Sequence, residues 1–269
     1  DGPINFGPRD HFWGCLSEGF YEPIYKMPYN PPYYNDLFIQ YGFQNYFNQY
    51  TYHVPLRAGK MDEVIYLNGE HLTRDPDYHF ECIDKRQVDK YAADFITIFN
   101  AAWARFPGVK PMRLEQAKQM FRSMKLVADT RAIIFGYYRK EPVSFFIMIP
   151  DLYEIIRKFN GKFGWIQKAQ LYYYLKIRKI NKRLVGLIFG VIPRFQGKGT
   201  AAGMILRFEK EVAKASFHYT DLEMNWIGDF NPQMMKLVSQ IGGKIKKTHI
   251  TYRYLFDRSR PFDRARKLG

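Results

Sequence analysis

The stretch Val191-Ile192-Pro193-Arg194-Phe195-Gln196-Gly197-Lys198-Gly199-Thr200-Ala201-Ala202 carries the residue types and spacing best suited to chemistry in this chain. Before it, Leu184 to Ile192 is almost unbroken in apolar side chains, the pattern of a strand covered on both faces. After it, Ala201, Met204, Ile205, Phe208, Val212 and Ala215 recur at helical spacing. A chain that leaves a buried strand through two glycines and enters a helix aims unpaired N–H groups and the positive end of the helix dipole at one place, which is what a phosphate requires. The glycines also let the main chain approach phosphate oxygens closely. A nucleotide P-loop does not fit, because it needs a longer glycine spacing and a Ser or Thr directly after the lysine, whereas Gly199 follows Lys198. A dinucleotide fingerprint is met in letter by Gly197, Gly199 and Ala202. Four residues, however, separate the strand from the first glycine, and Asp221 opens the next strand instead of ending it. A glycine turn that serves packing alone remains the plain alternative.

The elements that must hold this turn are readable along the chain. Prolines 31 and 32 suit the first turn of a short helix through Phe38 that stops near Gly42, and Tyr46 to Val54 reads as a strand. Gly59, Gly69 and Pro76 among charges mark residues 59–78 as a linker. A strand at His79 to Ile83 precedes two amphipathic helices, with Tyr91, Phe95, Ile98 and Ala102 on one and Leu114, Ala117, Phe121 and Met124 on the other. Ala132 to Tyr138 and Val143 to Ile149 flank a turn at Lys140-Glu141-Pro142. Asp151 to Arg183 is a mostly helical insertion whose apolar stripe is Ile166, Ala169, Tyr173, Ile177 and Ile180, with Lys176, Lys179 and Arg183 on another face. Leu222, Met224 and Trp226 alternate with Asp221, Glu223 and Asn225 in a strand, Pro232 opens a helix that Gly242-Gly243 ends, and Thr248 to Phe256 closes the sheet.

With 46% hydrophobic and 25% charged residues in 269, the composition is that of a folded protein and excludes a disordered tail, collagen or a coiled coil. The absence of an apolar run of membrane length and of a signal-like opening leads to the expectation of a soluble, cytoplasmic protein. Cys15 and Cys82 are too few for a disulfide framework or a thiolate zinc site, and His11, His53, His71, His79, His218 and His249 show no metal spacing, so no metal is expected. A net charge of +15 implies attraction to an anion: nucleic acid, a phospholipid surface or a phosphorylated cofactor. The chain opens on Asp1 with Gly2-Pro3-Ile4-Asn5-Phe6, which reads like a domain interior and suggests that further sequence precedes it.

On the glycine turn and its surroundings the chain resembles the GNAT superfamily of N-acetyltransferases. The family pattern of Gln or Arg, any two residues, Gly, any one, and Gly or Ala is met by Gln196, Gly199 and Ala201, and two residues earlier by Arg194, Gly197 and Gly199. The likeness spans roughly residues 79–256. It implies an α/β fold with a mixed central sheet flanked by helices. It also implies acetyl-coenzyme A as co-substrate, lying where two central strands splay apart. Main-chain groups of Val191 and Ile192 would then hold the pantetheine arm, amides of Gln196, Gly197, Lys198, Gly199, Thr200 and Ala201 the pyrophosphate, and Asn231 would touch the cofactor arm. Glu18-Gly19-Phe20, Asn30-Pro31-Pro32-Tyr33-Tyr34 and Tyr41-Gly42-Phe43, with the opening motif, resemble the end of another GNAT unit. The domain organisation that follows is a C-terminal part of one unit at 1–58, a linker at 59–78, a complete domain at 79–256 and a basic tail at 257–269.

Acetyl transfer to an amine requires a base, an oxyanion donor and an acid for the departing thiolate. N–H groups near Val191 and Ile192 are the candidate oxyanion donors, and Glu223, on the polar face of its strand, is the candidate base, with Asp221 and Asp229 behind it. Family members commonly carry a Tyr seven residues beyond the position of Asn231; here that residue is Val238, which leaves Tyr252, Tyr254 or water as the acid. Trp103, Trp226 and Tyr172-Tyr173-Tyr174 are expected in the core or the cleft wall, with the lining of an acceptor pocket as the alternative. Three readings follow: an N-acetyltransferase acting on a small-molecule or peptide amine, a coenzyme A binder without turnover, and a binder of nucleic acid or an anionic surface.

Overall fold

The computed structural model describes residues 1–4, 13–57, 59–103 and 111–268. Asn5-Phe6 of the opening motif, and His11, lie outside the described residues. In chain order the elements are β1 (Cys15–Glu18), α1 (Tyr34–Tyr41), β2 (Gln44–Pro55), α2 (Glu63–Arg74), β3 (Tyr78–Cys82), α3 (Val88–Trp103), α4 (Leu114–Met124), β4 (Ile133–Tyr138) and β5 (Glu141–Pro150). They continue with α5 (Tyr153–Ile156), α6 (Trp165–Tyr172), β6 (Arg183–Val191), α7 (Thr200–Val212), β7 (Asp221–Gly228), α8 (Pro232–Gln240) and β8 (Lys244–Arg253).

All eight strands form one sheet in the order β1-β8-β2-β7-β6-β5-β4-β3. Every neighbouring pair is antiparallel except β6 and β7. The sheet is thus mixed, and helices cover both faces. On one face Met204, Ile205, Phe208, Ile65, Leu72 and Val238, from α7, α2 and α8, close over Leu184, Phe146, Leu222 and Met224. On the other, Tyr91, Phe95, Ile98, Ala117 and Phe121, from α3 and α4, close over Phe135, Phe145 and Ile147. Tyr91, Phe95, Ile98, Ala117, Phe121 and Met124 pack as their periodicity marked them, while Leu114 at the start of α4 is exposed. No helix among the described residues is long and apolar enough to cross a membrane.

The first fifty-odd residues complete the sheet: β2 lies between β8 and β7, with Tyr52 opposite Met224 on one side and Ile245 on the other. The closing strand β8 therefore pairs with β1 and β2 and does not meet β7. Three expectations are corrected. Residues 59–78 contain α2, where Gly69 permits a close helix crossing: a Cβ there would stand 2.5 Å from Leu206 Cδ1 and 3.0 Å from the Ala202 carbonyl oxygen. The turn between β4 and β5 is Arg139-Lys140, both at positive φ, and β5 already begins at Glu141. In the insertion, Leu171 and Leu175 face inward onto Ile155 and Phe159, while the stripe through Ile166, Tyr173 and Ile177 faces solvent.

Candidate active site

The parallel pairing of β6 with β7 lasts only from Arg183–Asp221 to Gly186–Met224. Directly beyond it β6 bulges. Ile147 faces Ile188 and Met148 faces Gly186, so Leu187 is the extra residue without a partner on β5. β7 kinks at the same level, with Tyr50 opposite Ile227 and Tyr52 opposite Met224. The strands part, and the main-chain edge of β6 from Leu187 to Val191 is left without a β7 partner. Leu187, in the middle of a central strand, is 37% exposed.

The ladder fixes which groups face this wedge. Ile192 N–H donates to the Val143 carbonyl at 2.9 Å. By the alternation of an antiparallel pair, Val191 and Phe189 then turn their own N–H and C=O groups away from β5, into the wedge. The Val191 carbonyl accepts from Gln196 Nε2 at 2.9 Å. Of the two strand-end residues singled out in the sequence, Val191 presents its N–H to the opening and Ile192 has spent its own on β5.

A single 3₁₀ turn, Pro193–Phe195, carries the chain to Gln196 and the two glycines. Gly197 and Gly199 sit at φ +71° and +83°, the left-handed region that other residues enter at a cost of about 1–2 kcal/mol. Thr200 is buried, and its hydroxyl donates to the Phe195 carbonyl at 3.1 Å, tying the start of α7 back to the turn. Among the described residues, none of the N–H groups from Gly197 to Ala202 has a protein acceptor. A side chain at Gly197 would meet nothing within 4 Å, so the turn is open to its front. Beside it lies a groove of about 660 Å³ lined by Leu72, Tyr78, Tyr138, Arg139, Arg194 and Lys198 among others. Arg194 pairs with Glu141 at 2.5 Å and Arg139 with Asp77 at 2.9 Å, while Lys198 has no carboxylate partner among the described residues.

Glu223 is placed differently from its expected role. It lies on the sheet face opposite Leu222 and Met224, as the alternation implies, but its side chain is fully buried and held by Lys246 at 2.6 Å, Lys247 at 3.0 Å and Arg183 at 3.0 Å. Burial works against its charge, yet Lys247, Arg183 and Lys246 outweigh burial and hold the carboxyl below its ordinary pKa. A carboxylate saturated by three cations has little pull on a further proton. Asp221 pairs with His53 at 2.7 Å at the start of β7, before the strands part, and Asp229 pairs with Arg264 at 2.6 Å. Asn231 caps α8, its Oδ1 accepting from Met234 N–H at 3.1 Å. Val238 is fully buried in α8. Neither tyrosine considered as acid stands at the wedge. Tyr252 donates to Asn35 Oδ1 at 2.9 Å and faces Asn45, outside the β2–β7 pairing, and Tyr254 accepts from Arg258 at 2.7 Å.

The sequence reading missed a buried polar side chain at the apex of the wedge and two more on the neighbouring strand β2. Asn225 directly follows the last β6–β7 pair; it is buried, and among the described residues neither its Nδ2 nor its Oδ1 has a partner. Among the same residues Thr51 Oγ1 and Gln49 Nε2, on β2, are buried and unpaired, while Gln49 Oε1 accepts from the Thr251 hydroxyl on β8. Thr51 faces Lys247, which reaches Glu223, so by the two-residue repeat Thr51, Gln49, Glu223 and Asn225 share the face that α3 and α4 cover elsewhere. The available signal was an Asn inside an otherwise apolar strand end. Among the described residues no three His, Cys, Asp or Glu side chains converge as metal ligands.

No protein-family model matches the chain. Among curated proteins, a bacterial ceramide synthase of Caulobacter vibrioides is 27% identical over 178 residues, covering 63% of this chain and 44% of that protein. The chain thus spans less than half of that relative's length. Two solved structures share the fold. One is the glucosamine N-acetyltransferase region, GCN5-related, of a fungal multi-domain β-N-acetylglucosaminidase, with a TM-score of 0.50 at 10% identity over 82% of this chain and 22% of that one. The other is a tandem GNAT protein from the clavulanic acid biosynthesis pathway, also at 0.50, with 9% identity over 89% of this chain and 62% of that one. With its bulged and splayed central strands and its glycine turn, the chain has the fold of the GCN5-related N-acetyltransferases.

Proposed function

We propose that this chain transfers an acyl group from a coenzyme A thioester to an amine, and that the amine belongs to an amphiphile with a long hydrocarbon chain. One observation carries the first part: β6 and β7 part beyond Gly186 and Met224, and the turn at the end of β6 leaves the N–H groups of residues 197 to 202 without an acceptor among the described residues. The residues fit the donor. Gly197, Lys198, Gly199, Thr200 and Ala201 offer main-chain donors at a helix start, with the Lys198 cation beside them, which suits a diphosphate. Gln196 braces the strand end instead, through its bond to Val191. The unpaired β6 edge suits the amide groups of a pantetheine arm, which would complete the ladder that β7 abandons. Asn231 stands at the start of α8, past the end of β7, with its Oδ1 committed to the cap.

The bound thioester supplies an activated acyl group and a leaving group that departs without strong acid assistance, since an ordinary thiol has a pKa near ~8.5. What the chain adds is placement. Main-chain N–H groups of the β6 edge face the wedge where an oxyanion would form. Asn225 offers an unpaired donor and acceptor at its apex, suited to the polar head of an acceptor. Buried polar atoms of this kind cost free energy unless a ligand or water satisfies them. The lipid character of the acceptor is supported by the ceramide synthase relative, because a ceramide is the amide of a long-chain amino alcohol.

Calorimetry with a long-chain acyl-coenzyme A, paired with thiol release in the presence of a long-chain amino alcohol, tests this reading. Gly197→Asp is the diagnostic variant: Asp tolerates the left-handed region and meets open space, yet sets a negative charge among the donors. Its affinity for the thioester should fall at least ~tenfold with the melting temperature nearly unchanged. Unaltered affinity would remove the turn from the donor site. Tight binding with no thiol release for any amine would favour the reading as a binder without turnover, to which the buried Val238 also lends itself.

A further inference from the structure

We infer that the insertion between β5 and β6 is a membrane-docking element that lies flat on the surface of an anionic phospholipid bilayer. Its inner side is an ordinary small core, with Leu171 and Leu175 packed on Ile155 and Phe159. Its outer side is unusual. Phe163, Trp165, Ile166, Tyr172, Tyr173 and Ile177 are all exposed, Trp165 at 86%, Ile166 at 70% and Ile177 at 62%. In α6, Trp165 and Tyr172 stand seven residues apart and so share a face, and Ile166 has the same spacing to Tyr173, just past the end of α6. One turn of π-helix, Tyr173–Ile177, carries that face onward to Ile177. Soluble surfaces rarely gather large apolar side chains in this way without a partner.

Charge identifies the partner. Between residues 155 and 182 the chain has eight Lys or Arg and no Asp or Glu. Lys176 is spent inside, on the Val127 and Ala128 carbonyls at 3.3 and 2.9 Å. Lys162, Lys168, Arg178 and Lys179 are exposed around the apolar face, and the Lys168 ammonium lies 5.2 Å from the Trp165 ring. Arg157 is paired with Glu22. Exposed Trp and Tyr with a short aliphatic set suit the headgroup level of a bilayer, and a cationic rim in a stretch with no Asp or Glu of its own suits anionic headgroups rather than a zwitterionic surface. A second copy of this chain would bring the same uncompensated positive charge to the same face.

The surface stands on the exposed face and its charge, independently of the acyl-transfer reading, and is tested without any thioester. The full chain is floated with vesicles of phosphatidylcholine alone and with vesicles containing about one-third phosphatidylglycerol. Partition onto the anionic vesicles is expected, weakening with salt. Trp165→Ser combined with Ile166→Ser should lower it by about tenfold or more, with unchanged thermal unfolding because both side chains face solvent. Lys162→Glu combined with Lys168→Glu should lower binding to anionic vesicles, whereas Arg266→Glu with Lys267→Glu in the tail should leave most of it. Absence of partition overturns the inference, as does partition that survives the Trp165 and Ile166 changes or that follows the tail pair. Concentration-dependent self-association abolished by Trp165→Ser would also overturn it, giving the face to a second copy.

Discussion

Replacing Glu223 by Gln separates a structural carboxylate from a catalytic one. Three cations, Arg183, Lys246 and Lys247, converge on Glu223, and Arg183 also holds Asp151 at 2.7 Å. In the parent the buried cluster sets three positive charges against two negative. Gln leaves three against one with the same burial, and Lys247 is only 1% exposed, so its charge cannot escape to water. Removing one partner of a buried pair typically costs about 3–5 kcal/mol. For a chain of this size each kcal/mol lowers the melting temperature by roughly 2–4 °C, so Glu223→Gln should melt about 6–20 °C below the parent in thermal unfolding followed by circular dichroism. Adding Lys247→Met to Glu223→Gln removes the stranded ammonium and should recover part of that loss, a coupling that a double-mutant cycle reads directly. The sign with pH follows from the lowered pKa of Glu223. A carboxyl with a lower pKa in the fold than in the unfolded chain adds stability above the unfolded value, and this is lost as pH falls through the folded one. The Gln variant should therefore lose less stability on acidification than the parent. If Glu223→Gln melts within about 2 °C of the parent while thiol release disappears, the cluster argument is wrong and Glu223 is the base after all.

Two further outcomes test the fold and its protonation. Gly69→Ala places a Cβ 2.5 Å from Leu206 Cδ1 where α2 crosses α7, and should destabilise by about 1–3 kcal/mol in urea unfolding; no change would mean that the crossing is looser than described. Burial pushes both His218 and His249 down to a pKa of about 4. Both are neutral in the fold where an unfolded histidine, near ~6.5, takes up a proton, so stability should decline as pH drops from about 6.5 toward 4 and lose this dependence below. His218→Asn with His249→Asn should flatten that decline in urea midpoints measured across this range. An unaltered profile would refute the assignment to these two rings.

What was legible in the sequence was what local chemistry decides. The turn at Gly197 and Gly199 could be read because a left-handed backbone between a buried strand and a helix leaves few residue choices, and the two helices around Phe95 and Phe121 because most of their apolar spacing matches the faces they bury. Sheet order could not be read in the same way. The aromatic and β-branched residues of β2 announce a strand, but its partners at Met224 and Ile245 lie far along the chain, and nothing in Tyr46 to Val54 names them. Gly69 was misread for a physical reason: a glycine that lets two helices touch looks, residue by residue, like one that interrupts a helix. Glu223 was placed on the correct face by alternation, while its burial depends on cations from β6 and β8. The insertion carries this furthest. Periodicity locates an apolar face without saying what covers it, and Ile166, Tyr173 and Ile177 turn theirs outward while Leu171 and Leu175 supply the small core. A stripe that the fold leaves bare, in the stretch 155–182 that has no Asp or Glu, has its complement outside the chain on the docking proposed above, which is why that face, and not the glycine turn, bears on where the protein works.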